Sequence, residues 1–250
     1  MRKSLALSLA LLVGTAGCAQ ADTQAADLDR AEVEEIVRAY LLENPEILRE
    51  VQEALIAKEA AEEERLTAEI IGQLDSRITG DARDIAIGPE DAKVTLVEFF
   101  DYNCGYCKRS TDWVRGVMEE HGGDVRIVFK ELPVLDGGRP NGTSRNAAKA
   151  ALAAGRQGKY STLHFSLMNE RSLTPERVEA IAEAAGLDMD KFRADMNDPA
   201  IDIHINQNLQ LAREIPALTG TPFFIVNDQY VSGANVARLE EVLGEELAEG

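Results

Sequence analysis

The chain has 250 residues, 45% of them apolar and 28% charged, which sets aside both wholesale disorder and a collagen-like fibre. Its net charge of −18, from 26 basic and 44 acidic residues, argues against binding nucleic acid or an anionic membrane surface through a general electrostatic field. Three cysteines are too few for a small disulfide-stapled domain.

The first 21 residues read as an export signal. Arg2 and Lys3 form a basic start, and Leu5 to Val13 is an apolar run well short of the roughly 20 residues of a membrane span. Ala19-Gln20-Ala21 fits a small-x-small cleavage site, so the mature chain is expected to begin at Asp22. An alternative is a bacterial lipoprotein box at Thr15-Ala16-Gly17-Cys18, with Cys18 acylated, although Thr15 stands where an aliphatic residue is usual. On either reading Cys18 leaves the pool of free thiols. Cys104 and Cys107 remain, in an oxidising compartment where they can pair.

Residues 22–83 form a segment of their own kind. Of the 13 aromatic residues only Tyr40 precedes Phe99, and residues 27–76 carry 15 acids, five bases, one Gly and one Pro. The composition predicts helix, with Val33, Ile36, Val37, Tyr40 and Leu41 on one face. Asn44 is the expected N-cap and Pro45 the first residue of a second helix reaching about Arg77. That helix has two apolar stripes, Ile47-Val51-Leu55 and Leu66-Ile70-Leu74, separated by a polar stalk from Lys58 to Arg65. The stripes could pack on the chain's own catalytic domain. The reading adopted is self-association.

Residues 84–250 alternate as an α/β domain. Lys93 to Phe100 is a central strand, Cys104 to Glu120 a helix and Val125 to Lys130 a second strand, which together make a βαβ unit. A helical stretch follows over about residues 143–214. Phe223 to Val226 and Gln229 to Ser232 read as a hairpin, closed by a helix from Ala237 to Leu247.

Cys104-Gly105-Tyr106-Cys107 follows a strand and opens a helix. Residues i and i+3 share a helix face, and the free N–H groups and dipole of a helix start favour an anion at the first thiol. Cys104 is therefore the expected low-pKa, exposed nucleophile. Cys107 is the expected buried thiol that resolves mixed disulfides. Half a zinc site is one alternative, but His121, His164 and His204 are isolated and far apart in sequence. An inert structural disulfide is a second alternative, weakened by how little a four-residue loop constrains the unfolded chain. Gly220-Thr221-Pro222-Phe223 puts a proline directly before a strand.

With these motifs in hand, residues 84–250 resemble the DsbA-like branch of the thioredoxin superfamily. Glu98-Phe99-Phe100-Asp101-Tyr102-Asn103-Cys104-Gly105-Tyr106-Cys107 and Gly220-Thr221-Pro222 carry the match. Tyr40-Leu41-Leu42-Glu43-Asn44-Pro45-Glu46 resembles the oligomerisation segment of the suppressor-of-copper-sensitivity C proteins, some of which are trimeric disulfide isomerases. The implied fold is α/β: a thioredoxin fold with an inserted helical domain, preceded by a helical oligomerisation arm. The resemblance also implies a cis-proline loop at Thr221-Pro222 and a buried carboxylate at Glu98 beneath the dithiol. The residues alone leave open a strand-end Glu98 paired with Lys130.

The expected function is a periplasmic thiol–disulfide oxidoreductase, leaning to isomerase or reductase because Gly105-Tyr106 lacks the Pro-His of many oxidases and Thr221 precedes the proline. Expected partners are misfolded or reduced exported proteins, a membrane redox partner and further copies of the chain, with a trimer favoured over a dimer and no nucleic acid. No cofactor is expected beyond the redox-active Cys104–Cys107 pair. A dithiol oxidase is the nearest alternative, and Cu(I) binding by the two soft thiolates is another.

Overall fold

A computed structural model describes residues 29–249, so the export signal and the Cys18 alternative lie outside the described residues. By compactness the chain divides into Met1–Leu55 and Ile56–Gly250.

In the first unit, α1 (Arg30–Glu43) opens on a capping box. Glu32 N–H donates to Asp29 Oδ1 at 3.0 Å, and Asp29 N–H donates to Glu32 Oε2 at 3.3 Å. No α1 residue is buried, and Val33, Ile36, Val37 and Tyr40 stay exposed. Asn44 does not cap the next helix as expected. Its side-chain amide donates back to the Tyr40 carbonyl at 2.8 Å, so it closes α1 instead. The second helix, α2, spans Glu46–Ile78, and its early residues Leu48, Val51 and Leu55 are also exposed.

The later part of α2 belongs to the second unit, which begins at Ile56, ahead of the expected start at residue 84; of the stripe expected to self-associate, Ile70 and Leu74 pack within the chain instead, while Leu66 stays exposed. Thr67, Ile71 and Ile78 are buried, and Ile70 and Leu74 pack beside them on Val97, Phe99, Val128, Phe223 and Ile225 of the sheet. These sheet residues form an apolar face of their own, and covering it removes that area from water. Polar contacts fix the helix there. Ala217 N–H donates to Thr67 Oγ1 at 3.2 Å, and Arg77 grips Glu214 at 2.6 and 2.8 Å.

A short strand, β1 (Ile85–Ile87), follows; three residues are too few to show a period, and the sequence reading missed it. Next come β2 (Val94–Phe100), α3 (Gly105–Glu120) and β3 (Val125–Glu131). The helical insertion is α4 (Thr143–Gly155), α5 (Tyr160–Met168), α6 (Pro175–Ala184), α7 (Met189–Met196) and α8 (Pro199–Glu214), filling the expected interval. The chain ends in β4 (Phe223–Val226), β5 (Gln229–Ser232) and α9 (Val236–Glu249). The sheet order is β1-β3-β2-β4-β5, with β2 and β3 parallel and the other pairs antiparallel.

Both faces of β2 are covered, which explains its near-continuous apolar sequence. Leu96 and Phe100 join the core with α3 and the insertion, whereas Val97 and Phe99 join the core with α2. Lys130 lies on β3 and is fully buried. Its ammonium contacts Asp84 and donates to the Arg77 carbonyl at the end of α2 at 2.7 Å, while Asp84 Oδ1 lies 3.0 Å from His204 Nε2. Lys130→Met should cost about 3–5 kcal/mol, because it strands a buried Asp84 without its cation. The shift in urea midpoint measures this, and an unchanged midpoint would refute the buried pair.

Candidate active site

Cys104 is the N-cap of α3 (φ −75°, ψ 117°), and Gly105 is its first helical residue. The loop before it is shaped by Asp101, which is buried. Its carboxylate accepts from Asn103 N–H at 2.8 Å, Leu135 N–H at 2.9 Å and the Ser144 hydroxyl at 2.7 Å. The Asn103 side-chain amide reaches the hydroxyls of Thr143 and Ser144, both at 2.9 Å. Asp136 in turn accepts from Ser144 N–H and Arg145 N–H at 3.2 and 2.7 Å, and so supplies the cap that Gly142 cannot. A Cβ on Gly142 would sit 1.9 Å from Asp136 Cγ, so glycine is required there. Sequence reasoning missed Asp101, Asn103, Asp136 and Ser144. The cluster Gly142-Thr143-Ser144 before a helix was the available signal.

The two thiols are not joined to each other. Cys107 is fully buried, as expected. Cys104 is not the exposed residue that the sequence suggested: only 6% of it is accessible, because the loop before β4 covers it. The Cys104 thiol donates to the Thr221 carbonyl at 3.2 Å, and the Thr221–Pro222 peptide is cis. The exposed members of the motif are Gly105 and Tyr106, and the Tyr106 ring carries the Arg109 guanidinium 4.0 Å from its centroid.

The two sulfurs differ in acidity. Hydrogen bonding from the Cys107 thiol, helped by the Thr221 side chain and the backbone N–H groups of Cys107 and Tyr106, pulls Cys104 down to about 5 against the opposing effect of burial. Burial pushes Cys107 far up, reinforced by its hydrogen bond to Cys104 and by the Glu98 charge. Thr221→Val should therefore raise the Cys104 pKa by up to about one unit and make the potential more reducing, without unfolding the protein. Ultraviolet titration of the thiolate checks this, and an unmoved titration takes the Thr221 hydroxyl out of the site.

Glu98 lies beneath the pair and is buried. Burial and then the Cys104 charge push it up to about 8. The strand-end alternative fails on register. Glu98 stands opposite Phe129 and Lys130 opposite Phe99, so the lysine faces away toward Asp84. A second buried carboxyl, Glu131, accepts from the Tyr160 hydroxyl at 2.9 Å and lies 3.2 Å from the Tyr102 hydroxyl, which also lies 2.9 Å from His164 Nδ1. Among the described residues no group of three or more His, Cys, Asp or Glu is placed to hold a metal ion.

The DSBA-like thioredoxin domain model matches residues 95–244, and the model of the copper resistance protein ScsC N-terminal domain matches residues 29–62. A linker-deletion mutant of Proteus mirabilis ScsC aligns over 90% of this chain and 100% of its own, with 27% identity and a TM-score of 0.65. A thioredoxin-like oxidoreductase from Silicibacter pomeroyi aligns over 68% of this chain and 95% of its own, with 35% identity and a TM-score of 0.61. The Na(+)/H(+) antiporter NhaA of Herminiimonas arsenicoxydans is 34% identical over 152 residues, which are 60% of this chain and 23% of the antiporter. The chain thus matches less than a quarter of the length of that curated relative, and no described helix is long and apolar enough to cross a membrane. With two thiols at the start of α3, a cis-proline loop against the first of them and a family match over most of the domain, the chain belongs to the DsbA-like thioredoxin family of thiol–disulfide oxidoreductases and carries an ScsC-type N-terminal segment.

Proposed function

We propose that the protein is a periplasmic disulfide isomerase or reductase for misfolded exported polypeptides, assembled through its N-terminal segment into a homo-oligomer, with a trimer the favoured state. The observation that carries this reading is the exposed apolar face of α1 and early α2 within a stretch matched by the ScsC N-terminal model. A helix with no buried residue has its apolar side available to further copies of itself. Several dithiols around one client raise the effective thiol concentration for breaking and remaking its bonds. Gly105-Tyr106 between the cysteines and Thr221 before the proline support isomerase or reductase over a strongly oxidising dithiol oxidase. A membrane redox partner that keeps the dithiol reduced completes the cycle.

The test compares the full chain with a fragment from Ile56 to Gly250, which retains the buried part of α2. The full chain should be a multimer by light scattering and should reactivate scrambled ribonuclease. The fragment should be monomeric and redox-active but lose the reactivation. A full-length monomer at micromolar concentration overturns the assembly, and a resting state that is oxidised in the cell favours the oxidase. Cu(I) capture by the Cys104 and Cys107 thiolates is a second activity in this proposal, suited to soft sulfur ligands and tested by competition with a Cu(I) chelator.

A further inference from the structure

Two buried carboxyl groups share one face of the sheet. Phe100 pairs with Glu131 and Glu98 with Phe129, so Glu98 and Glu131 are diagonal neighbours on adjacent strands. Their face is the one that carries Cys104 and Cys107. Oε1 of Glu98 and Oε2 of Glu131 are both buried with no hydrogen-bond partner. The other oxygen of Glu131 is occupied by Tyr160 and Tyr102. A buried polar atom left without a partner is costly, and two of them on one face of adjacent strands call for an explanation.

We propose that Glu131 is a positioning residue for the redox reaction: held as the neutral acid, it donates from Oε2 to the Glu98 carboxylate and so readies Glu98 to take the proton of Cys107. Two tyrosine hydroxyls on Oε1 leave Oε2 to carry the acid proton, and burial keeps the group protonated. A donor and an acceptor that are both orphaned while Glu98 is neutral become partners once it ionises. Such a charge-assisted bond is about twice as strong as a neutral one.

The step balances. Cys107 gives its proton to Glu98 and its sulfur electron pair to Cys104, forming the Cys104–Cys107 bond. The bond from Cys104 to the client breaks, its electron pair leaves on the client sulfur, and the Glu98 proton then passes to solvent. The groups facing the pair are Asp101, Tyr102, Cys104 and Cys107 beside Glu98, and Tyr160 and His164 from α5. His164 is held neutral, pushed down to about 3 by burial and then by the Arg115 charge, and the Lys108 ammonium is the cation that senses Asp101, Cys104 and Cys107.

The inference rests on Cys107 being the resolving thiol. Resolution of a mixed disulfide preformed on Cys104 is followed against pH in the full-length protein and in its Glu131→Leu, Glu131→Gln and Glu98→Gln variants. Glu131→Leu should move the Glu98-linked step to higher pH and slow resolution at pH 7 by roughly threefold to tenfold, since a midpoint moved by about half to one pH unit changes the base fraction by that factor. Glu131→Gln keeps a donor at the same place and should restore the wild-type midpoint. Glu98→Gln should abolish the step.

If Glu131→Leu does not fold, infrared difference spectra of the wild type decide the matter. The protonated-carboxyl band that is absent in Glu131→Gln should shift as Glu98 titrates, and should stay fixed in Glu98→Gln. Superimposable profiles for wild type and Glu131→Leu, a uniform loss at every pH, or an unmoved infrared band would each overturn the role of Glu131. Failure of the underlying reading has a different signature, in which the mixed disulfide on Cys104 resolves normally without Cys107.

Discussion

In the Cys107→Ala variant, disulfide-linked adducts with clients should accumulate and persist, with lifetimes extended by orders of magnitude, whereas Cys104→Ala should form none. The asymmetry follows from the two environments. A thiol pulled down to about 5 is about 99% ionised at pH 7, so Cys104 attacks without help. Cys107 is fully buried, far up in pKa and without access to a second protein. Removing it leaves attack intact and takes away the internal nucleophile that releases the client. Non-reducing electrophoresis with mass spectrometry reads the result. Equal trapping by both variants would reverse the assignment of nucleophile and resolver.

Glu98→Gln should remove a pH-dependent loss of stability that the wild type shows between about pH 4.5 and 8. The carboxyl is raised from 4.5 to about 8 by burial and then by the Cys104 charge. Below pH 4.5 it is neutral in both folded and unfolded states and contributes no penalty. Between the two values the unfolded chain ionises while the folded one resists, so folding stability falls as pH rises and levels off above 8. The full effect is at most about 5 kcal/mol, because each tenfold change in proton affinity is worth about 1.4 kcal/mol. Glutamine fills the same space and cannot ionise. The variant should therefore match the wild type near pH 4.5 and be markedly more stable at pH 8. Urea midpoints across this window check the sign, and a wild-type profile parallel to that of the variant would show Glu98 to be solvated.

The parts of the molecule that were legible in the sequence were those whose signal is local. The run Val94 to Phe100, the motif from Cys104 to Cys107 and the proline before Phe223 each announce a strand, a helix start and a loop from neighbouring residues alone. The interval of the helical insertion was legible for the same reason, since Gly155 to Gly158, Thr174-Pro175 and Asp198-Pro199 punctuate it. What escaped was decided across the fold. Lys130 could not be assigned to Asp84 until the register turned it away from Glu98. The later α2 stripe reads as unpartnered until the second face of the sheet is assembled opposite it. The low exposure of Cys104 depends on a loop more than one hundred residues further along the chain.

The polar staple around Asp101 ties the insertion to the loop that carries Cys104. The residues flanking Cys104 are bonded to Ser144, and Ser144 is bonded in turn to Asp136 at the start of α4. A movement of the loop when the two sulfurs join must be absorbed by those bonds, and a free-energy coupling of this kind acts equally in both directions. Local opening of the first turn of α4 then differs between the dithiol and the disulfide. The amides of Ser144 and Arg145, both held by Asp136, should then exchange at different rates in the dithiol and the disulfide, a gauge of oxidation state that can be read without touching either cysteine.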